Sequence, residues 1–123
     1  MTQERLSLGK KGEELAISQL KALKYRILER NFKCPLGEID IIARDKNTLV
    51  FVEVKTRATR DFGGPAAAVD GRKQRQLSKV ALTYLNQKKL SNVPARFDVV
   101  AVELIPLSPR IEVIRNAFDL CYQ

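Results

Sequence analysis

Residues 37–57, GEIDIIARDKNTLVFVEVKTR, decide the fold. Two runs rich in β-branched residues, Glu38 to Arg44 and Leu49 to Thr56, flank the polar stretch Asp45-Lys46-Asn47-Thr48. That is the pattern of two antiparallel strands joined by a turn. With Arg44 set opposite Leu49, residues Ile39, Ile41 and Ala43 face Val54, Val52 and Val50, and this side of the hairpin is wholly apolar. The other side pairs Ile42 with Phe51, Asp40 with Glu53, and Glu38 with Lys55. A slip of one residue would mix the two faces, so the hydrophobic pattern selects this register.

The register brings two carboxylates together. Directly opposed residues have Cβ atoms about 4.5–5.5 Å apart, and like charges there are destabilising, so Asp40 and Glu53 call for a cation. Their hard oxygen donors suit Mg²⁺ or Mn²⁺, with water and a substrate phosphate filling the other positions. Lys55, two residues beyond Glu53, points to the same side of the sheet, where it neutralises the site or positions a water. A structural alternative pairs Lys55 with Glu38 and Glu53 with a surface arginine, leaving no metal site.

An aspartate, a hairpin turn and then Glu-x-Lys resembles the metal-dependent nuclease motif of the restriction-endonuclease-like superfamily. Four ordered stretches extend the likeness: GKKGEELA at 9–16, GEIDIIARD at 37–45, LVFVEVKTR at 49–57 and RFDVVAVE at 96–103 together resemble the YraN-like family of small bacterial proteins. The resemblance implies a three-layer α/β/α, restriction-endonuclease-like core akin to archaeal Holliday-junction resolvases, and a role on nucleic acid. It also implies that the backbone carbonyl of Val54 joins Asp40 and Glu53 as a metal ligand.

Composition bounds the chemistry. At 123 residues the chain fits one domain, 1–123, long enough to bury about two thirds of its unfolded surface. Lys and Arg number 22 against 14 Asp and Glu, a net charge of +8 that suits a polyanionic partner. There is no histidine, which excludes a Ser-His-Asp triad, a histidine base and most zinc sites. Cys34 and Cys121 read as ordinary reduced thiols. MTQERLSLGKKGEE has no signal-peptide core and no run approaches the roughly 20 apolar residues of a membrane span, so no membrane and a cytoplasmic location are expected.

The spacing predicts a first helix from about Leu8 to Leu23, with Gly9, Glu13, Ala16, Leu20 and Leu23 on one face and Gly12 at its edge. Glu14 points away. Each helical glycine costs about 1 kcal/mol relative to alanine, so Gly9 and Gly12 suggest a close approach of backbone to the sheet. Glu13 either complements the helix dipole or acts as a further carboxylate of the site; the family resemblance favours the second, because Glu13 falls on the family's matching glutamate.

A strand is expected over Tyr25 to Phe32, turning at Cys34-Pro35-Leu36-Gly37 into the hairpin. Residues 57–69 read as a loop carrying Arg57 and Arg60 at the active end, with a helical turn at its alanines as an option. Asp70 is the predicted N-cap of a second helix reaching about Lys89, with Leu77, Val80, Ala81 and Tyr84 as its core stripe and Lys73 one turn earlier, within reach of the site. Arg72, Gln76 and Lys79 form a neighbouring polar row beside Arg75. From Gly71 through Phe97 there are seven Lys or Arg and no acid, an asymmetry suited to phosphate contacts or, more blandly, to a solvated face. Ala95 to Leu104 reads as a strand covered on both faces and Ile111 to Ile114 as a last strand, giving the order αβββαββ around a mixed sheet. Asp98 is either structural or a support of the site.

These readings converge on a Mg²⁺- or Mn²⁺-dependent endonuclease that hydrolyses phosphodiester bonds in DNA rather than RNA, in branched or single-stranded forms. A module that binds nucleic acid without turnover, or is active only with a protein partner, is the rival. Specificity would come from nucleic-acid shape or from a homodimer; Leu82, off the core stripe, hints at a partner surface.

Overall fold

A computed structural model describes residues 3–57, 69–104 and 108–120, with side chains from Leu8 onward. The elements are α1 (Gln3–Ala22), β1 (Arg26–Cys34), β2 (Gly37–Asp45), β3 (Thr48–Arg57), α2 (Gly71–Gln87), β4 (Ala95–Glu103) and β5 (Arg110–Phe118). Order αβββαββ is therefore as expected. The five strands form one mixed sheet in the order β1-β2-β3-β4-β5, with β3 and β4 parallel and every other pair antiparallel.

Each helix covers one face, because the central strands are apolar on both. Ile41, Ala43, Val50, Val52, Val100 and Val102 pack with Ala16, Ile17 and Leu20 of α1. Ile42, Phe51, Phe97 and Val99 pack with Leu77, Val80, Ala81 and Tyr84 of α2, the stripe read from the sequence. This is the three-layer α/β/α arrangement of a restriction-endonuclease-like core. No helix among the described residues is long and apolar enough to cross a membrane.

The hairpin register holds for Ile41↔Val52 through Asp45↔Thr48 and stops there. The expected continuation, with Ile39 opposite Val54, Asp40 opposite Glu53 and Glu38 opposite Lys55, does not form. Asn31 of β1 adopts the left-handed conformation (φ 55°), a region that asparagine tolerates better than most side chains. It lies between the pairs Arg30↔Ile41 and Phe32↔Ile39. Across this irregularity the side chains change faces: Ile41 belongs to the α1 cluster, but Ile39 belongs to the α2 cluster. Asp40 occupies the crossover. Glu38 accordingly pairs with Lys33, at 3.9 Å, and not with Lys55.

Other boundaries shift for local reasons. α1 begins at Gln3, well before Leu8, and ends at Ala22, so Leu23 is exposed beyond the buried face. Asp70 is the N-cap of α2, its carboxylate accepting the Lys73 N–H at 2.9 Å, and the helix ends at Gln87 with Lys88 as C-cap. β1 runs to Cys34 and β5 spans nine residues, because β4 supplies antiparallel pairing well past Ile114. Leu82 is exposed. The loop read at 57–69 lies largely outside the described residues, as do Arg60 and Cys121.

The two glycines of α1 differ. A Cβ on Gly9 would meet nothing within 4 Å among the described residues, so the expected close approach is not seen there. One on Gly12 would overlap the Thr56 side chain, with Thr56 Cγ2 at 2.8 Å and Cβ at 2.9 Å. Because the contact includes the Cβ of a β-branched residue, rotation cannot relieve it. Gly12→Ala is expected to destabilise the protein by about 1–3 kcal/mol through overpacking, whereas Gly9→Ala should be neutral or stabilise by up to about 1 kcal/mol. Urea midpoints for the two variants check the contrast, and equal midpoints would contradict it.

Candidate active site

The site forms where the β2–β3 ladder ends. Past Val52, β3 no longer pairs with β2, and the Val54 N–H instead donates to the Asp40 carboxylate at 2.8 Å. That bond holds Asp40 at the seam between the two strands. Glu53 and Lys55 follow Phe51 on the side of the sheet facing α2, while Val54 packs with the α1 cluster. From α2, Lys73 reaches Glu53.

Glu53 is the electrostatic centre. Its side chain is only 9% exposed, with Lys73 Nζ at 3.7 Å and Lys55 Nζ at 3.8 Å from Oε2. Burial first, then the charge of Asp40, pushes its carboxyl up to about 7, against the opposing pull of Lys73 and Lys55; a hydrogen bond with Asp40 adds to the rise. Both ion pairs exceed the roughly 2.7–2.9 Å of a charge-assisted hydrogen bond, so neither lysine is locked onto the carboxylate. The two lysines oppose the rise without cancelling it.

Glu13 approaches from α1, half-buried and one residue past the Gly12–Thr56 contact. Burial and the charge of Asp40 raise its carboxyl, while a hydrogen bond with the Asn31 side chain and the nearby Arg30 oppose the rise. Glu14 turns outward to Arg30, at 2.8 Å, as its place on the helix requires. Glu13 thus feels Asp40, but among the described residues no three His, Cys, Asp or Glu side chains gather as a metal-holding group. The protein offers a two-carboxylate site with a third carboxylate nearby.

The donor set fits a hard divalent ion. Mg²⁺ commonly uses one or two carboxylates and fills its remaining positions with water and phosphate oxygen. Asp40 and Glu53 would hold it; burial first, and then the charge of Asp40, keep the Glu53 carboxyl raised even beside Lys73 and Lys55.

Of the remaining sequence-predicted residues, Arg57 closes β3 beside Glu103. Arg72, Arg75 and Lys79 line an open cleft of about 350 Å³ with Gln76 and Leu36, between α2 and the β1–β2 turn. Arg72 of the cleft and Lys73, which reaches Glu53, are consecutive residues in the first turn of α2. Asn31 escaped the sequence reading. Its signal was an asparagine inside a strand, where that residue is depleted.

Asp98 lies outside this centre. It is fully buried and accepts hydrogen bonds from Tyr25 Oη at 2.8 Å, Arg96 Nε at 2.9 Å and the Asn116 N–H at 3.0 Å. Arg96 also donates to Asp45 at 2.8 Å, at the hairpin turn. The cluster ties β4, β5, the turn and the start of β1 together, which makes Asp98 structural.

The comparisons agree with the motifs. The model of the Uncharacterised protein family UPF0102 matches residues 12–102, a span that includes Glu13, Asp40, Glu53 and Lys55. A UPF0102 protein of Geobacter sulfurreducens is 56% identical over 116 residues, covering 94% of this chain and 91% of the relative. One from Geobacter metallireducens is 52% identical over 122 residues, covering 99% and 100%. A third, from Thermodesulfovibrio yellowstonii, is 48% identical over 114 residues, covering 93% and 97%. With a family match over most of its length and relatives aligned nearly end to end, this chain belongs to UPF0102, the family to which its YraN-like motifs point.

Proposed function

We propose that the protein is a divalent-metal-dependent phosphodiesterase acting on nucleic acid, DNA in preference to RNA, in branched or single-stranded forms. The observation that carries this reading is the meeting of Asp40 with a nearly buried Glu53, beside two lysines, where the sheet ladder opens. Mg²⁺ or Mn²⁺, when bound, would lower the pKa of a water and neutralise charge on phosphate oxygens. Asp40 and Glu53 would hold the ion, with the Val54 carbonyl as the further ligand implied by the nuclease resemblance. Lys55 orients the attacking water and neutralises charge that develops in the transition state. Glu13, steadied by Asn31, accepts a hydrogen bond from that water or holds a second ion.

Lys73, Arg72, Arg75 and Lys79 contact phosphates along α2, and Arg57 does so from the end of β3; Arg60, proposed for the same role, lies outside the described residues. Selectivity then rests on nucleic-acid shape, on a second copy of the chain or on a protein partner. A second reading, binding without turnover, is favoured by Lys55 and Lys73 together: two cations beside Glu53 partly satisfy it with no metal.

Calorimetric titration with Mn²⁺, paired with a cleavage assay on four-way-junction, single-stranded and duplex DNA, separates the readings. Saturable Mn²⁺ binding, weakened at least about tenfold in Asp40→Asn (a loss of ~1.4 kcal/mol), together with Mn²⁺-dependent cleavage is the expected result. Mn²⁺ binding without cleavage of any substrate selects the second reading. No Mn²⁺ binding removes the catalytic reading and leaves the hairpin charges structural, with nucleic-acid binding as the reading that survives.

A further inference from the structure

An exposed hydrophobic side chain stands in the cationic cleft along α2. Leu36, at the tip of the β1–β2 turn, is 51% exposed and lies in the same open cleft as Arg72, Arg75, Gln76 and Lys79. The tip is held in place. Gln76 Nε2 donates to the Leu36 carbonyl at 3.3 Å, and Gly37 follows with φ 142°, a conformation that other residues rarely adopt. A Cβ on Gly37 would lie 2.9 Å from Gln76 Nε2, so glycine lets the turn sit against α2. The result is a leucine fixed among three cations.

Cations in a row suit a phosphate backbone, and an apolar wedge beside them suits the face of a base displaced from its stack. Leu36 lies in the turn just before β2, four residues ahead of Asp40, a span of about 13 Å at 3.3 Å per residue, or about four nucleotide steps at 3.4 Å of axial rise. We propose that the Leu36 tip and the Arg72–Arg75–Lys79 row recognise the boundary between paired and unpaired DNA, Leu36 packing on the first unstacked base and the row gripping the adjoining phosphates. This rests on the nucleic-acid reading of the site but not on its catalysis. It names the substrate class: DNA with a duplex-to-single-strand boundary.

The test uses the full chain in EDTA, so that no turnover occurs. Fluorescence anisotropy compares a forked duplex, with two unpaired arms, to a fully paired duplex of equal length, and 2-aminopurine at the boundary reports unstacking. Wild type is expected to bind the fork at least about tenfold more tightly, a difference of ~1.4 kcal/mol, with increased 2-aminopurine emission. Leu36→Ala should lose that preference and the emission change while keeping its duplex affinity within about twofold (~0.4 kcal/mol). Leu36→Phe should keep the preference, since an aromatic ring also packs on a base. Arg75→Ala with Lys79→Ala should weaken both forms alike and reduce the salt dependence by up to about two phosphates.

Equal wild-type affinity for fork and duplex overturns the proposal, as does an unchanged preference in Leu36→Ala. So does absence of DNA binding, which removes the nucleic-acid reading as well. Fork preference without Mn²⁺-dependent cleavage leaves the proposal standing while the catalytic reading falls.

Discussion

Asp98→Ala is expected to destabilise the protein by about 3–5 kcal/mol, the cost of breaking a buried, hydrogen-bonded charge cluster from one side. The carboxylate has no exposed surface and accepts from Tyr25 Oη, Arg96 Nε and the Asn116 backbone. Alanine would orphan all three donors at once. Arg96 would retain Asp45, but its guanidinium is only 20% exposed and would keep much of its charge away from water. Burial works against that charge, and the hydrogen bonds of Asp98 and Asp45 outweigh it, raising the Arg96 pKa above the ordinary arginine range. Asn116 is itself left-handed, φ 51°, and the Asp98 bond fixes the irregularity in β5 that it creates. Urea unfolding of Asp98→Ala, Arg96→Ala and the double variant reads the coupling, which should be clearly non-additive because the two side chains share a network. A loss below about 1 kcal/mol for Asp98→Ala would show that the cluster contributes little beyond filling space.

The positions that were and were not legible in the sequence divide along a physical line. Residues 41–45 and 48–52 alternate cleanly between apolar sets, and alternation alone places them in the register observed. Asp70 is a side chain whose local chemistry announces a helix start, and the stripe from Leu77 to Tyr84 then fixes which face Lys73 shares. Glu53 and Lys55 inherit their side of the sheet from Phe51. Alternation fails at Asp40, where Ile39 and Ile41 fall on opposite faces across from the left-handed Asn31 of the neighbouring strand, and period-two reasoning along β2 has no view of β1. Reading Asp40 as the cross-strand partner of Glu53 therefore brought these two carboxylates together by a route the structure does not take. Its carboxylate arrives through the opened ladder, anchored on the Val54 N–H. Asp98 is hidden from the sequence for a related reason: Tyr25 and Arg96 meet only after α1, the sheet and the hairpin turn have assembled, and residues 71 apart carry no periodic signature.

Glu53→Gln should abolish metal-dependent cleavage and yet make the metal-free protein more stable above neutral pH, and that opposition distinguishes a functional carboxylate from a structural one. In the folded protein the carboxyl sits at about 7, raised by burial and by Asp40 from the ordinary 4.5 that the unfolded chain retains. The folded state therefore binds this proton more tightly than the unfolded state does. Below about pH 4.5 both states are protonated and there is no penalty; as pH rises to about 7 the unfolded state releases the proton first, and wild-type stability falls by on the order of 3 kcal/mol before levelling off. Glutamine keeps the shape and the hydrogen bond without titrating, so its stability curve should be flat through the same window and lie about 2–3 kcal/mol above wild type at pH 8. Mn²⁺ should then stabilise wild type and not the variant, since an ion that binds only the folded state shifts unfolding by mass action. Thermal unfolding at pH 5 and pH 8, with and without Mn²⁺, reads all four corners. If Glu53→Gln is instead less stable than wild type at pH 8, then Lys55 and Lys73 more than offset burial and the repulsion of Asp40. Glu53 would then be one member of a satisfied ion-pair network, with no need of a metal.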